Sequence, residues 1–497
     1  MSQQLIIFDE PHLEFRYGQT LVDPRHGLSL FGTFDADLPS KPSLSYAVIG
    51  TNEGITSFNS WSQAMNRPSI EAPNDNYQLW PPYPGFETSF CQEWPTTPIW
   101  QTTIDREKLI QASRKRDQHE RAFEVVEHYL EAIRRAHKLD ERPRVAVCVV
   151  PDEVWLNCRP QSHVKDPLGI GLSAKHKQAR KAGQTAMFDT FDPDQYWHSP
   201  DFRRQLKARS MKFDIPIQII RETTLRLSNE TKRGQRELTT LSDRMWNLGA
   251  TLYYKCGGKP WRLVTAREGV CYIGIAFRRT DDGKTACCAA QMFLNTGDGV
   301  VFLGEYGPWY SPDTKQCHLD KSAAQKLLSG VLKTYRELEG KDLTEIFLHS
   351  RSTLDDLELQ GFQEACPEGV KLVGVRVRSE RLDGLRLFRD GDLPVLRGSF
   401  WKVNDKSGLL WGSGYKAVIG TYDGHDVPVP LQIDVLYGDV PVERVAQDIL
   451  GLTKLNYNAC RLGDAEPVTV GFSDEVGEIL ISNPKVSDRR PNFKFYI

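Results

Sequence analysis

The stretch LYYKCGGKPW, Leu252–Trp261, sets one lysine at the end of an apolar run, directly before two glycines and a proline. Gly257 and Gly258 permit a left-handed helix stop, and Pro260 prevents the helix from resuming. The Lys255 ammonium is thereby placed at a sharp reversal, where it suits an anion such as phosphate. A lysine that only complements a helix dipole accounts for these residues equally well. A second cationic group lies upstream in FRRQLKARSM, where Arg203 and Lys207 are four apart and share one helix face. A pair of this kind also serves simply to solvate a helix. Gln218, in IPIQII, adds an amide donor at the end of the next strand. In parallel α/β units ligands collect outside the carboxyl ends of strands. The order therefore predicts two or three cations and an amide converging on one anion, with Arg204 an alternative to Arg203.

Elements must exist to hold these side chains. SLSYAVIGT (43–51) and RVAVCVVP (144–151) read as buried strands, and GITSFNSWSQAMN (54–66) as an amphipathic helix. Residues 105–138 read as one long helix or two, with Phe123, Val126, Tyr129, Leu130 and Ile133 at helical spacing. Strand–helix alternation continues to Lys255, which predicts a Rossmann-like parallel sheet. After a boundary at Lys259–Ala266 come apolar strands at 270–279, 285–295 and 300–306, a helix at 322–340, and strands at 343–352, 370–379, 385–390, 408–415 and 427–438. That β-β-β-α-β order resembles an RNase H-like sheet. Residues 67–100, rich in Pro, Trp and Asn, read as a long irregular connection that exposes apolar surface for a partner or packs back on its own domain.

The 497 residues, with 40% hydrophobic and 26% charged content, describe a globular chain and exclude a disordered one. The formal net charge of -2 requires any nucleic-acid surface to be a local basic patch. The first residues, MSQQLIIFDEPH, do not read as a secretory signal, and no apolar run approaches the ~20 residues of a membrane helix. The ten cysteines are scattered without C-x-x-C spacing, which fits buried thiols in a reducing cytoplasmic setting and argues against zinc. No G-x-G-x-x-G or Walker-type loop follows a strand, which disfavours a nucleotide-binding α/β enzyme.

Taken in order, YKCGGKPW, RRQLKARSM, IPIQII and LTKLNYN…PVTVGFSDEVGEIL, with the opening DPRHGLSLFGTF, resemble a short prokaryotic Argonaute. The resemblance covers nearly the whole chain. It implies an α/β protein with an N-terminal extended segment at 1–37, a Rossmann-like MID domain at 38–262 and an RNase H-like PIWI domain at 263–497. It also implies that Arg203, Lys207, Gln218 and Lys255 bind the 5′-phosphate of a guide. The position of Arg203 is often Tyr or His in such proteins. The carboxylate of Ile497, on the apolar ending NFKFYI, is implied as a ligand for Mg2+ or Mn2+ at that phosphate; a tail that is merely packed is the other reading.

The same resemblance locates where a two-metal nuclease would hold its carboxylates, about 4 Å between the metals. The first position falls on Ala276 in YIGIAF and the second on Arg351 in LHSRST, leaving Asp474 as the surviving acid. Asp355 and Asp356 read as acids at the start of a helix. The expectation is a PIWI domain that binds without cutting, and the rival is an active guided nuclease using other carboxylates. Partners implied are a guide RNA, a single-stranded DNA target and an APAZ-domain effector protein, with a TIR, sirtuin-like or nuclease domain, in a prokaryotic immune heterodimer.

Overall fold

The structure is a computed structural model. It describes residues 4–39, 41–69, 77–164, 198–229, 237–279, 285–293, 299–302, 309–311, 316–339, 342–379, 385–424, 426–483 and 489–497. The basic run at 175–181 lies outside the described residues.

Two sheets organise the chain. The first has four strands, in the order Trp100–Thr103, Tyr46–Gly50, Val145–Val150 and Ile217–Arg221. All of its pairings are parallel. Its two central strands are buried on every residue, as continuous apolar runs covered by helices on both faces must be. The region 105–138 forms two helices, Arg106–Ser113 and Gln118–His137, each capped by an aspartate, Asp105 and Asp117.

Among the described residues the second sheet has nine strands. Its core order is Gly299–Phe302, Thr285–Phe293, Val270–Arg279, Glu345–Ser350 and Lys371–Ser379. The first three are antiparallel, and Glu345–Ser350 runs parallel to both Val270–Arg279 and Lys371–Ser379. This is the predicted RNase H-like arrangement, so the fold class is an α/β chain with a Rossmann-like sheet followed by an RNase H-like one. Residues 385–390, expected as a strand, form none.

Residues 4–37 tie the large sheet to the junction between the two halves. Gln4–Ile7 pairs with Ser399–Lys402 at the edge of the large sheet, and Leu13–Glu14 pairs with Arg262–Leu263 at the junction. Extended pieces are joined there by a helix, Pro24–Phe31. Buried charges fasten this segment. Glu10 accepts from Arg397 at 3.0 Å and pairs with Lys454 at 3.0 Å, while Lys454 also donates to the main-chain oxygens of Pro11 and Val22.

Among the described residues of 67–100, most of the aromatic side chains pack inward, while Tyr77 and Ile99 stay exposed. Tyr83, Phe86, Phe90 and Trp94 are fully buried. Trp94 stacks on Tyr46 at 4.9 Å and donates its indole N–H to Ser62. Aromatic density here fills a core under a loop. No helix of the described residues is long and apolar enough to cross a membrane.

Candidate functional site

The helix Leu241–Lys255 runs along the edge strand Ile217–Arg221, and Arg244 at its start donates to the main-chain oxygens of Thr224 and Arg226. Its end matches the reading of the glycine pair. Cys256 is the C-cap and Gly257 has φ 101°, a left-handed value that glycine adopts without strain. Lys255 is turned inward and fully buried. Its Nζ donates to the main-chain oxygen of Ile217 at 2.7 Å and to that of Ile497 at 2.5 Å.

The helix Phe202–Ser210 supplies the second ammonium. Asp201 caps it by accepting from the backbone N–H groups of Arg203 and Arg204. Lys207 is 3% exposed and donates to the main-chain oxygen of Tyr496 at 2.8 Å. Lys207, Lys255 and the last two residues thus meet at one point. The tail is docked: Phe493, Phe495, Tyr496 and Ile497 are all buried.

The electrostatics of this point are unusual. Burial, and after it the nearby Arg203, together pull Lys255 down to about 7. Lys207 is pushed well below the ordinary lysine value by burial, then by Arg203 and by Lys255. Both ammonium groups hydrogen-bond to main-chain oxygens. Arg203 and Arg204 lean instead on Glu475, at 3.8 Å, and Glu478, both on the helix Val468–Ile481. A dianion arriving among Lys207, Lys255 and Arg203 would meet preorganised donors in a water-poor site.

The expected geometry is altered in one respect. Strand Ile217–Arg221 continues past Gln218, and Lys255 binds at its start. The cluster therefore sits at the amino end of that strand rather than beyond its carboxyl end. Gln218 belongs to an adjoining cleft of about 320 Å3, lined also by Arg221, Arg244, Asn247, Asn458 and Arg461. Asn458 and Arg461 come from the far side of the junction. They were missed in the sequence because no periodicity links them to the first sheet; only their place just after LTKLNYN hinted at it.

A hard divalent cation takes oxygen ligands. The main-chain oxygen of Ile497 lies at this point, where it accepts from Lys255. Among the described residues no group of three His, Cys, Asp or Glu is placed to hold a metal. The chain's own donors therefore fit Mg2+ or Mn2+ only as a companion to phosphate oxygens.

The second cluster lies on the large sheet. Ser350 is level with Ile275 in the parallel pair, so Arg351 follows at the level of Ala276. Arg351 pairs with Glu466 at 2.8 Å and with Asp474 at 3.3 Å. Ala276, Arg351 and Asp474, singled out far apart in sequence, thus surround one spot. Glu466 is the member that sequence reasoning missed. The start of the helix Val468–Ile481 passes so close to Gly274 that a Cβ there would lie 1.7 Å from the main-chain oxygen of Thr469. Asp355 is a helix N-cap, in a capping box with Glu358, and stands outside this cluster.

No protein-family model matches the chain. The Argonaute protein of Aquifex aeolicus (strain VF5) is 24% identical over 283 residues, which make up 56% of this chain and 35% of that protein. Among solved structures, Clostridium butyricum Argonaute bound to a guide DNA and a 19-mer target DNA superposes with a TM-score of 0.63 at 16% identity, over 98% of this chain and 54% of that one. Aquifex aeolicus Argonaute with externally bound siRNA gives a TM-score of 0.55 at 17% identity, over 99% and 56%. The chain is thus similar to Argonaute proteins in sequence and shares their fold, and it spans between a third and just over half of their length.

Proposed function

We propose that this chain is an Argonaute-type recognition subunit. In this reading it holds a 5′-phosphorylated guide RNA, pairs it with a single-stranded DNA target, and does not slice. The observation that carries the reading is the buried pair Lys207 and Lys255, hydrogen-bonded to main-chain oxygens beside Arg203. Burying two lysines and crowding them with an arginine costs stability unless an anion repays it. A terminal phosphate repays it with charge and with acceptor oxygens. Mg2+ or Mn2+ accompanies the phosphate, with the Ile497 oxygen as its protein ligand, and contributes neutralising charge.

The Gln218 cleft is lined by residues from both halves of the chain, including Arg221, Arg244 and Arg461. It supplies a cationic path for the guide's first phosphodiesters, and base pairing then reads the target. The arginine at the Ala276 level, paired with Glu466 and Asp474, opposes the two-metal arrangement a nuclease needs.

The net charge of -2 leaves little basic surface for a whole duplex. A second protein therefore completes the channel. We assign that role to an APAZ-domain effector carrying a TIR, sirtuin-like or nuclease domain, switched on by target recognition in prokaryotic immunity. The test is direct titration of the purified chain with 5′-phosphate and 5′-hydroxyl guides of one sequence. The expected result is preference for the phosphate by at least tenfold, one charge-assisted contact's worth. Equal affinities overturn the reading.

A further inference from the structure

We propose that the strand Gln4–Ile7 is a docking edge for an extended strand of the second protein that completes the channel. This rests on the two-protein reading above and names the surface that reading leaves open. Gln4–Ile7 pairs with Ser399–Lys402 on one side only; among the described residues it is the last strand of the large sheet. In an antiparallel pair, successive residues point their main-chain groups alternately toward and away from the partner strand. Phe8 donates its N–H to the main-chain oxygen of Gly398, so Ile6 and Gln4 face the sheet in the same way. Leu5 and Ile7 therefore turn their N–H and C=O groups outward. The same two residues carry the exposed side chains, each 58% exposed, while Ile6 packs against the core and Phe8 is buried.

The edge itself defines what covers it. Outward N–H and C=O groups on an extended backbone are met in register by another extended backbone. A strand edge left to solvent is normally guarded by charge or proline, and QLII has neither. Leu5 lies opposite Trp401, and Trp401 opposite Leu409, both half-buried, so an apolar strip runs from the edge across the neighbouring strands. Val403, two residues on from Trp401, is 42% exposed. The occupant is thus a strand with apolar side chains at alternate positions, set against Leu5 and Ile7. Its seat is held firm, because Glu10 fixes the same segment to Arg397 and Lys454. A second copy of this chain fits less well. A four-residue strand meeting itself buries far less than the ~1,200 Å2 of a stable association, whereas a channel-completing protein brings contacts elsewhere.

The experiment co-expresses the full chain with the APAZ-domain protein proposed above and follows the complex by size exclusion and amide hydrogen exchange. Ile7→Pro removes an outward N–H and leaves the bonds of Ile6 and Phe8 to the neighbouring strand in place. It is expected to weaken the complex about tenfold or more, with the melting temperature and 5′-phosphate preference of wild type. Ile7→Thr, which keeps the N–H and the β-branched shape, is expected to retain the complex. In wild type the amides of Leu5 and Ile7 are expected to exchange more slowly in the complex than in the chain alone. A complex formed equally well by Ile7→Pro, with those amides exchanging as fast as in the free chain, overturns the proposal and leaves the two-protein reading standing. Should Ile7→Pro fail to fold, exchange in wild type decides: no slowing at Leu5 and Ile7 on complex formation overturns it. A dimer of the chain alone that Ile7→Pro dissociates assigns the edge to a second copy and overturns it too. A wild-type chain that forms no complex overturns both the proposal and the two-protein reading.

Discussion

Lys255 donates a 2.5 Å hydrogen bond to the main-chain oxygen of Ile497, 242 positions along the chain, and in doing so locks the tail against the first domain. The same ammonium also holds the start of strand Ile217–Arg221 at 2.7 Å. Removing it should therefore separate a binding effect from a packing effect. Lys255→Met keeps the bulk and removes the buried charge. It is expected to abolish the preference for a 5′-phosphate while leaving the melting temperature unchanged or raised, since uncompensated buried charge is a stability cost. Calorimetry and guide titration on the same preparation check it. A large fall in melting temperature would show that the hydrogen bonds outweigh the desolvation.

The pH response follows from the depressed lysine. In the free protein Lys255 titrates near 7, against an ordinary 10.5. Phosphate binding favours the ammonium form, so binding takes up a proton and the 5′-phosphate preference falls as pH rises through 7. Below about pH 6 the phosphate itself loses its second charge. Discrimination between phosphate and hydroxyl guides is thus expected to peak between about pH 6 and 7. Stability of the empty chain moves the other way: between pH 7 and 10.5 the unfolded state binds more protons at this position, so this contribution rises with pH. A preference that is flat from pH 6 to 9 would contradict the assignment of Lys255.

Much of this arrangement was visible before any coordinates. The glycine pair ends the helix where expected, Arg203 and Lys207 share a helix with their acidic cap, and the apolar runs become parallel strands. Local rules carry such features because they depend on neighbours in sequence. The carboxyl-end rule did not anticipate that Lys255 would lie at the amino end of strand Ile217–Arg221, because its other partner is the chain's distant tail. Glu466 and Arg461 were invisible for a similar reason: each matters only through a contact made across more than a hundred residues. Residues 67–100 show the limit of composition, since aromatic side chains serve a buried loop as well as an exposed surface.

Glu10 is expected to be a keystone for stability. Burial raises its pKa, but Arg397 and Lys454 more than offset this, and the net result is a carboxylate held below the usual value. Replacing it by alanine leaves two buried cations facing each other. Removing one partner of such a group costs roughly 3–5 kcal/mol. Glu10→Ala should unfold at markedly lower denaturant concentration than Glu10→Gln, which retains an acceptor. Because the folded pKa is lowered, the stabilisation is present above the ordinary 4.5 and is lost as pH falls through the folded value. Denaturant melts at pH 7 and pH 4 should converge for wild type and Glu10→Ala as the pH drops.

The spot shared by Ala276, Arg351, Glu466 and Asp474 makes a prediction about metal. Wild-type chain, loaded with guide and matched target in Mg2+ or Mn2+, is expected to yield no cleaved strand, because a guanidinium occupies the place where divalent charge would sit. The double change Ala276→Asp with Arg351→Asp removes that cation and adds two carboxylates at one level of adjacent parallel strands. With Glu466 and Asp474 already facing the spot, four acids then surround it and repel one another. Two consequences follow. Without metal the variant should be less stable than wild type, from like-charge repulsion. With millimolar Mn2+ its melting temperature should rise by several degrees, as binding to the folded state alone requires, while the wild type shows no such rise. Isothermal titration with Mn2+ gives an independent reading. A wild-type chain that cuts at one fixed phosphodiester would show that another set of carboxylates performs the reaction. A variant without any metal-dependent shift would show that the strand register does not place these positions as a metal site needs.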